Sequence, residues 1–462
     1  MQLKDGSIAS AIGLLAAGLL GPAPARAQDA TSIDSGVAAP ARAPNAYDAT
    51  ASEPGTLVAD TAVLFYQEDA GRVRAIEAES GLVWNKANGT VLSAKITYDS
   101  LTGATPNGAI RSHSVERFEP PAQPRAGDDE HLPALGVIDG GTGASGTYTI
   151  PAGQLPVDKN FKDNREALDL GATLPVTDSL KVSVGGAISH EGDFDSRSAR
   201  ATLIKELFAK NTTLSVGFNY EHDKVKPFGG IPLALGDMGS EAFAKSRVKQ
   251  VYNIVAGVTQ VLTPEWLVQV NYSYGHSTGY HTDPYKLVSL VDRTSGDPFF
   301  AIYESRPGQR DRHSVYLGSK LATGSFVTDA SARWYSDSWG IKALTFAVSE
   351  HIPVGRSAYI EPGVRWYHQT QARFFRNFLY LDEATPDHVS ADSRLGRFGA
   401  WTLGLKGGAK VASNLEVYAS AERYWQYGQH YDTSLPGNLA STDLFSGTKS
   451  YSLVAGLRLT FR

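Results

Sequence analysis

Two related heptads carry the most distinctive side-chain chemistry in the chain. The first is Asp99-Ser100-Leu101-Thr102-Gly103-Ala104-Thr105 and the second is Asp139-Gly140-Gly141-Thr142-Gly143-Ala144-Ser145. Both read Asp-x-x-Thr-Gly-Ala-[Ser/Thr], so an acid precedes a terminal hydroxyl by six positions. A hydroxyl that follows Gly-Ala has small neighbours, and the backbone there admits the close approach of a bulky reactant. At average residue usage the pattern arises by chance in well under about one chain in a hundred. The plainer reading of either copy alone is a turn, with Asp and Thr capping it and Gly supplying positive φ. The run from Gly140 to Gly146 is also of low complexity, which can imitate a motif.

Other groups point to less. Eleven histidines are scattered without a His-x3-His or His-Glu-x2-His ligand pair. Most, such as His190, His276, His281 and His388, fall at the ends of apolar segments or between them. Asp128-Asp129-Glu130-His131 reads as a solvated charge run, and no metal centre emerges. There is no Gly-x-Ser-x-Gly elbow and no phosphate-cradling loop. The absence of cysteine excludes disulfides, thiolate metal sites, iron–sulfur clusters and covalent c-type haem. With 43 Lys+Arg against 48 Asp+Glu the chain has no polyanion-binding footprint, so nucleic acid is not an expected partner.

The elements that must position these residues begin with a targeting signal. Lys4 is a short basic region, Ile8 to Leu20 is a mostly apolar stretch of 13 residues, and Ala25-Arg26-Ala27 offers a cleavage site. Residues 1–27 are thus expected to be a signal peptide and residues 28–56, rich in Ala, Pro, Ser and Asp, a flexible periplasmic tether. No later segment has 18 consecutive apolar residues.

From Leu57 onward, apolar residues recur with period two. Leu214, Val216, Phe218 and Tyr220 alternate with Ser215, Gly217, Asn219 and Glu221; Trp266, Val268, Val270 and Tyr272 flank Gln269 and Asn271. Such segments are strands with one apolar and one polar face. Short turns are expected near Asn85–Gly89, Val176–Ser179, Ala209–Asn211, Thr263–Glu265, Ala322–Ser325, Pro353–Ser357 and Ala412–Asn414. Between them run long connections at Ser100–Asp163, Asp223–Ser246, His281–Arg310, Phe374–Arg394 and Gln426–Lys449. Tight turns at one end and long loops at the other, with apolar faces free of Lys and Arg, define an all-β fold: a transmembrane antiparallel barrel over 57–462, with about sixteen strands. Pro362 falls inside one strand, where it removes a ladder hydrogen bond. Lys95, Asp169, Lys181, Asn219 and Asn271 are expected to face the lumen. Asp99 shares a face with Lys95 and Thr97, so the segment 100–162 should leave from the lumen wall and form a long loop or plug.

Two resemblances add to this. The final strand, with Tyr451, Leu453, Ala455, Leu457, Leu459 and Phe461 on one face, resembles the signal read by the barrel-assembly machinery of Gram-negative outer membranes. Here the terminal aromatic is penultimate. The chain also resembles a bacterial outer-membrane family of unknown function, through Tyr98 to Ala109 and through Tyr335-Ser336-Asp337-Ser338-Trp339-Gly340. In that family, genes for a flavin transferase and a thioredoxin-like protein often lie nearby.

The heptads themselves resemble the acceptor sequence of bacterial FAD:protein FMN transferases, which attach FMN through a phosphoester to the final Thr or Ser. That resemblance implies Thr105 and Ser145 as acceptors of one or two covalent FMN groups. It implies Asp99, Thr102, Gly103 and Ala104, and equally Asp139, Thr142, Gly143 and Ala144, as positions read by the transferase. The expected function is extracytosolic electron transfer by an outer-membrane flavoprotein. Expected partners are the transferase, the assembly machinery, outer-membrane lipid and a periplasmic redox protein. A passive porin with a constricting loop is the alternative. A membrane-embedded hydrolase would need a Ser/His pair that the sequence does not single out.

Overall fold

The computed structural model describes residues 54–121 and 146–462. The leader, most of the tether, Asp128 to His131 and the whole second heptad, Asp139 to Ser145, lie outside these residues.

The described strands are β1 (Thr56–Glu68), β2 (Arg74–Asn85), β3 (Val91–Thr102), β4 (Glu116–Phe118), β5 (Tyr148–Ile150), β6 (Lys162–Thr177) and β7 (Leu180–Glu191). They continue as β8 (Phe194–Leu207), β9 (Thr212–Val225), β10 (Arg247–Thr263), β11 (Trp266–Gly279), β12 (Leu287–Val291), β13 (Pro298–Tyr303) and β14 (Gln309–Thr323). The last are β15 (Phe326–Asp337), β16 (Lys342–Val354), β17 (Ala358–Gln369), β18 (Leu379–Tyr380), β19 (Phe398–Ala412), β20 (Leu415–Tyr427) and β21 (Lys449–Phe461). Sixteen of them form one closed antiparallel barrel; only β4, β5, β12, β13 and β18 stand apart from the wall. The long connection after β3 therefore starts at Gly103, because Ser100 to Thr102 extend the strand.

Closure is made where β21 pairs with β1, from Leu57 opposite Phe461 to Glu68 opposite Ser450. All seven expected short turns link neighbouring wall strands on the side of the barrel that holds both strand termini, and the five long connections lie on the other. Pro362 is tolerated inside β17. The pairing of β16 with β17 lapses where Glu350 and His351 lie opposite Glu361 and Pro362, then resumes in the same register.

The alternation of side chains sorts them by solvent. On β11, Val270 and Tyr272 point out and are exposed, while Gln269 and Asn271 point in and are buried. A soluble protein would bury the apolar face; here the apolar residues form the outer surface, as a bilayer requires. The inner face is mostly polar and many of its charges are paired. Asp60 meets Arg458 at 2.8 Å, Asp169 meets Arg200 at 2.7 Å, Glu206 meets Lys181 at 2.8 Å and Asp223 meets Lys249 at 2.9 Å. Lys95 lies 3.4 Å from Glu79. The seam carries an inner apolar patch as well, where Ala62 and Leu64 pack on Tyr418 and Val454.

Several loops pack together in the mouth of the barrel as a plug. β12 lies between β13 and β18, and all five of its residues are buried. The connection after β3 hydrogen-bonds to it, Leu287 N–H to the Asn107 carbonyl at 2.7 Å and Ile110 N–H to Ser289 Oγ at 3.1 Å. The connection between β20 and β21 adds Leu439 against Ile110 and Val291. These loops are rooted at well-separated places round the wall, so they meet only across the mouth. The 60-residue loop foreseen as a plug is one contributor, and the centre is supplied by the loop between β11 and β14.

Placing Arg at Val270, on the outer face of β11, should lower stability by about 2–4 kcal/mol, whereas Val270→Ile should leave it within about 0.5 kcal/mol. Urea unfolding in lipid vesicles measures both.

Candidate functional site: the Thr105 anchor in the plug

The first heptad bends from wall to plug. Asp99 lies on the inner face of β3, directly opposite Arg165 of β6, and the two form a close, fully buried ion pair. Arg165 also donates to Glu77 of β2 at 3.1 Å. Thr102 ends the strand and is half-buried. At Gly103 the chain turns with φ +76°, and its N–H donates to the Phe161 carbonyl at 2.8 Å. A Cβ there would fall 1.8 Å from the Arg72 carbonyl oxygen, so this position needs glycine on conformational and steric grounds alone. Ala104 is buried in an apolar cluster with Tyr66, Val73, Leu101 and Phe161.

Thr105 then presents its hydroxyl to Lys286. The Lys286 ammonium donates to Thr105 Oγ1 at 2.6 Å and to the Pro106 carbonyl at 2.7 Å. Lys286 is 2% exposed. Burial holds its pKa below the ordinary lysine range, against the opposing pull of the Asp392 and Asp283 carboxylates. Those acids belong to a buried network of side chains around it. Arg306 contacts Glu304 at 2.6 Å and Asp392 at 2.7 Å; Arg394 contacts Asp283 at 2.7 Å and Asp392 at 2.5 Å. Ser390 donates to the second oxygen of Glu304. With three acids and three bases in one patch, each buried charge has an opposite within reach, which is the condition for keeping it there.

Thr105 and Lys286 line a cavity of about 60 Å³, walled by Tyr148, Phe161, Tyr285 and Tyr303. Gly146, the residue after Ser145, lines the same cavity. For a covalent FMN the fit divides in two. A phosphodiester on Thr105 would meet the Lys286 cation. A space that holds a few water molecules does not enclose a three-ring isoalloxazine, so the ring would stand beyond the present cavity wall.

Of the residues expected from sequence, the structure brings Asp99, Thr102, Gly103, Ala104 and Thr105 together as one continuous bend. Lys286 was missed. Its only sequence signal is a single lysine directly before the apolar run Leu287 to Val291. A second missed group sits nearby at the rim. Asp163, Glu191 and Asp193 bring carboxylate oxygens within 4.8 Å of one another, a donor set suited to a hard divalent cation. Asp193, in the turn between β7 and β8, accepts from the Tyr285 hydroxyl at 3.0 Å. Burial, and then the like charge of Asp163, push its pKa up to about 7.

Sixteen strands with an apolar exterior and a mouth filled by inward loops define a plugged transmembrane β-barrel. The chain belongs to the family described as "Protein of unknown function (DUF3570)", whose model matches residues 29–458. No curated protein matches it. Several solved outer-membrane structures are similar in outline. A mutant ferric enterobactin receptor from Pseudomonas aeruginosa is 9% identical with a TM-score of 0.39, over 82% of this chain and 54% of the receptor, so the chain spans about half the receptor's length. The CymD monoaromatic hydrocarbon channel is 8% identical with a TM-score of 0.38, over 89% and 90% of the two chains. The outer membrane protein opdK from Pseudomonas aeruginosa is 9% identical with a TM-score of 0.35, over 88% and 99%.

Two outcomes follow from this geometry. Gly103→Ala should cost more than about 2 kcal/mol and reduce refolding yield, since it adds a strained φ to a backbone clash. Because the folded state holds the Asp193 proton more tightly than the unfolded chain, stability should fall as pH rises from about 4 towards about 7. Glu116 in β4, pushed by burial up to about 7, adds to the same slope. Thermal unfolding in detergent across this range should show the decline, and Asp193→Asn should remove part of it.

Proposed function

We propose that this protein is an outer-membrane barrel that carries FMN covalently on Thr105 and acts in extracytosolic electron transfer. The observation that carries the reading is the junction of acceptor motif and cation: the last hydroxyl of the Asp-x-x-Thr-Gly-Ala-Thr heptad lies 2.6 Å from a buried lysine ammonium. The transferase reaction that the heptad implies joins Thr105 Oγ to the FMN phosphorus of FAD. The pyrophosphate bond breaks, AMP departs and the hydroxyl proton is lost. When bound, the flavin supplies one- and two-electron chemistry. The chain supplies position: Lys286 would pair with a phosphodiester on Thr105, the Pro106 carbonyl holds the lysine from its other side, and the Asp99–Arg165 pair holds the start of the bend to the wall. Ser145 is a second acceptor of the same kind by its motif.

The order of events follows from burial. Ala104 is buried and Ser100 to Thr102 are locked in the β3 ladder, so a transferase can read the heptad only before β3 pairs with β2 and β6. Modification in the periplasm ahead of barrel assembly satisfies this. A passive channel remains the competing function, in which the plug constricts a pore and no cofactor is present.

Co-expression with an FAD:protein FMN transferase, followed by intact-mass and in-gel fluorescence measurements, tests the reading. Wild-type protein should gain one or two FMN masses. Thr105→Val should lose one of them while still folding, and Thr105→Ser should keep it. Urea-unfolded chain should be modified at least tenfold faster than the folded barrel. An unmodified chain beside an active control substrate would remove the flavin reading.

A further inference from the structure

A second and much larger cavity opens at the rim of the barrel, separate from the Thr105 cavity. Its volume is about 700 Å³, within the range of small-molecule sites. Three connections and the strand ends beside them form it: residues 108–111 and Leu155 between β3 and β6, residues at and between the ends of β17 and β19, and residues from Tyr427 at the end of β20 into the loop before β21. Its lining combines aromatic faces with guanidinium groups. Phe375, Phe378 and Tyr380 come from one side, and Tyr427, Tyr431 and Phe445 from the other.

Several of these rings are held in place before any ligand arrives. Phe445 lies against Gly428 and Gly447, where a Cβ would come within 2.4 Å and 2.2 Å of its ring, so both neighbours must be glycine for the ring to lie there. His430 meets the same ring edge-on at 5.0 Å. Tyr380 is packed edge-on by Phe378 at 5.3 Å, and Arg293 lies over its ring at 3.9 Å. Rings fixed in this way lose little freedom when a planar ligand stacks on them.

The charges in the cavity are unequal in availability. Asp443 is taken up by Arg111 at 3.6 Å and by His430 at 3.0 Å, and Asp432 accepts from Ser434. Glu383 is exposed in the lining. Arg376 is exposed, and among the described residues its guanidinium donates only to the carbonyls of Phe375 at 2.8 Å and Arg373 at 3.3 Å. Arg397 is exposed and has no acidic partner among the described residues. Both arginines line the same cavity as the rings of Phe375, Phe378 and Tyr380. A flat fork of donors beside a ring is the arrangement that recognises an anionic group on an aromatic plane.

We propose that this rim cavity binds a planar aromatic anion, stacked on the ring cluster and paired through Arg376 and Arg397. The site is independent of whether Thr105 carries flavin. If it does, the ligand takes the role of soluble redox partner. Gly108 is in the cavity wall only three residues from Thr105, so their Cα atoms are no more than about 11 Å apart.

Anthraquinone-2,6-disulfonate serves as probe, titrated calorimetrically into the full-length barrel expressed without a transferase. The expected result is saturable binding of one equivalent. Arg376→Gln with Arg397→Gln should weaken it at least tenfold, Arg397→Lys should recover part of it, and Thr105→Val should leave it unchanged. Heat-modifiable migration on gels verifies that every variant is folded. No saturable binding, or the same affinity in the folded double variant, overturns the proposal. So does a cavity that binds lipid A through the same two arginines while remaining indifferent to the probe, which would assign it to a lipid phosphate. Because the probe is read on unmodified protein, a failure here is distinct from a failure of flavinylation.

Discussion

The pairing of β21 with β1 is the contact on which everything else depends. A hydrocarbon environment offers no partner to an exposed N–H or C=O, so an open sheet edge within it would cost several kcal/mol per group. Closing the sheet satisfies the whole backbone and forces each side chain to face either lipid or lumen. The outward half is apolar, with Val270 and Tyr272 as examples. The inward half inherits the charges, and there the wall meets its second constraint: a buried charge must find an opposite. Asp60 with Arg458, Asp169 with Arg200 and Asp99 with Arg165 are the results. The Thr105 bend is therefore anchored by the same pairing rule that holds the wall together.

The plug applies that rule once more in a place with no ladder to organise it. β12 is an apolar run buried on every side, and the segment that leads into it carries Asp283 and Lys286. The surrounding loops supply Glu304, Arg306, Asp392 and Arg394, so wall-like ionic pairing recurs inside the mouth. Removing one member would leave its partner buried and uncompensated, which typically costs about 3–5 kcal/mol. The lysine beside Thr105 is thus part of a balanced structural network as well as the cation nearest the acceptor hydroxyl.

The wall was legible from sequence because its signal is local. A bilayer imposes period two on every strand, and turns at the terminal side are short, so residue types alone placed the breaks at Val176–Ser179 or Ala412–Asn414. Pro362, a strand-breaking residue by type, is absorbed because β16 and β17 can skip two positions and resume. The plug was legible only as length. Lys286 and Thr105 are 181 residues apart, and nothing near either one announces the other. The same holds for Asp193 and Tyr285, which meet across a sequence separation of 92. Gly103 shows a further limit. The motif offers one explanation for it and the backbone offers another, and only coordinates reveal that φ +76° demands glycine irrespective of any transferase.

Among the described residues, the plug consists of connections between consecutive wall strands, each fastened to the wall at both ends. A separate plug domain hung on one end of a chain can be drawn out like a stopper on a string. Among the described residues there is no string: tension applied at the start of β1 would load the β1–β21 seam rather than β12. Any passage through the mouth must come from loops sliding past one another while their roots stay fixed. The described plug is therefore mechanically closer to a woven lid than to a cork, and a pull on any one of its strands is shared with the wall at both roots.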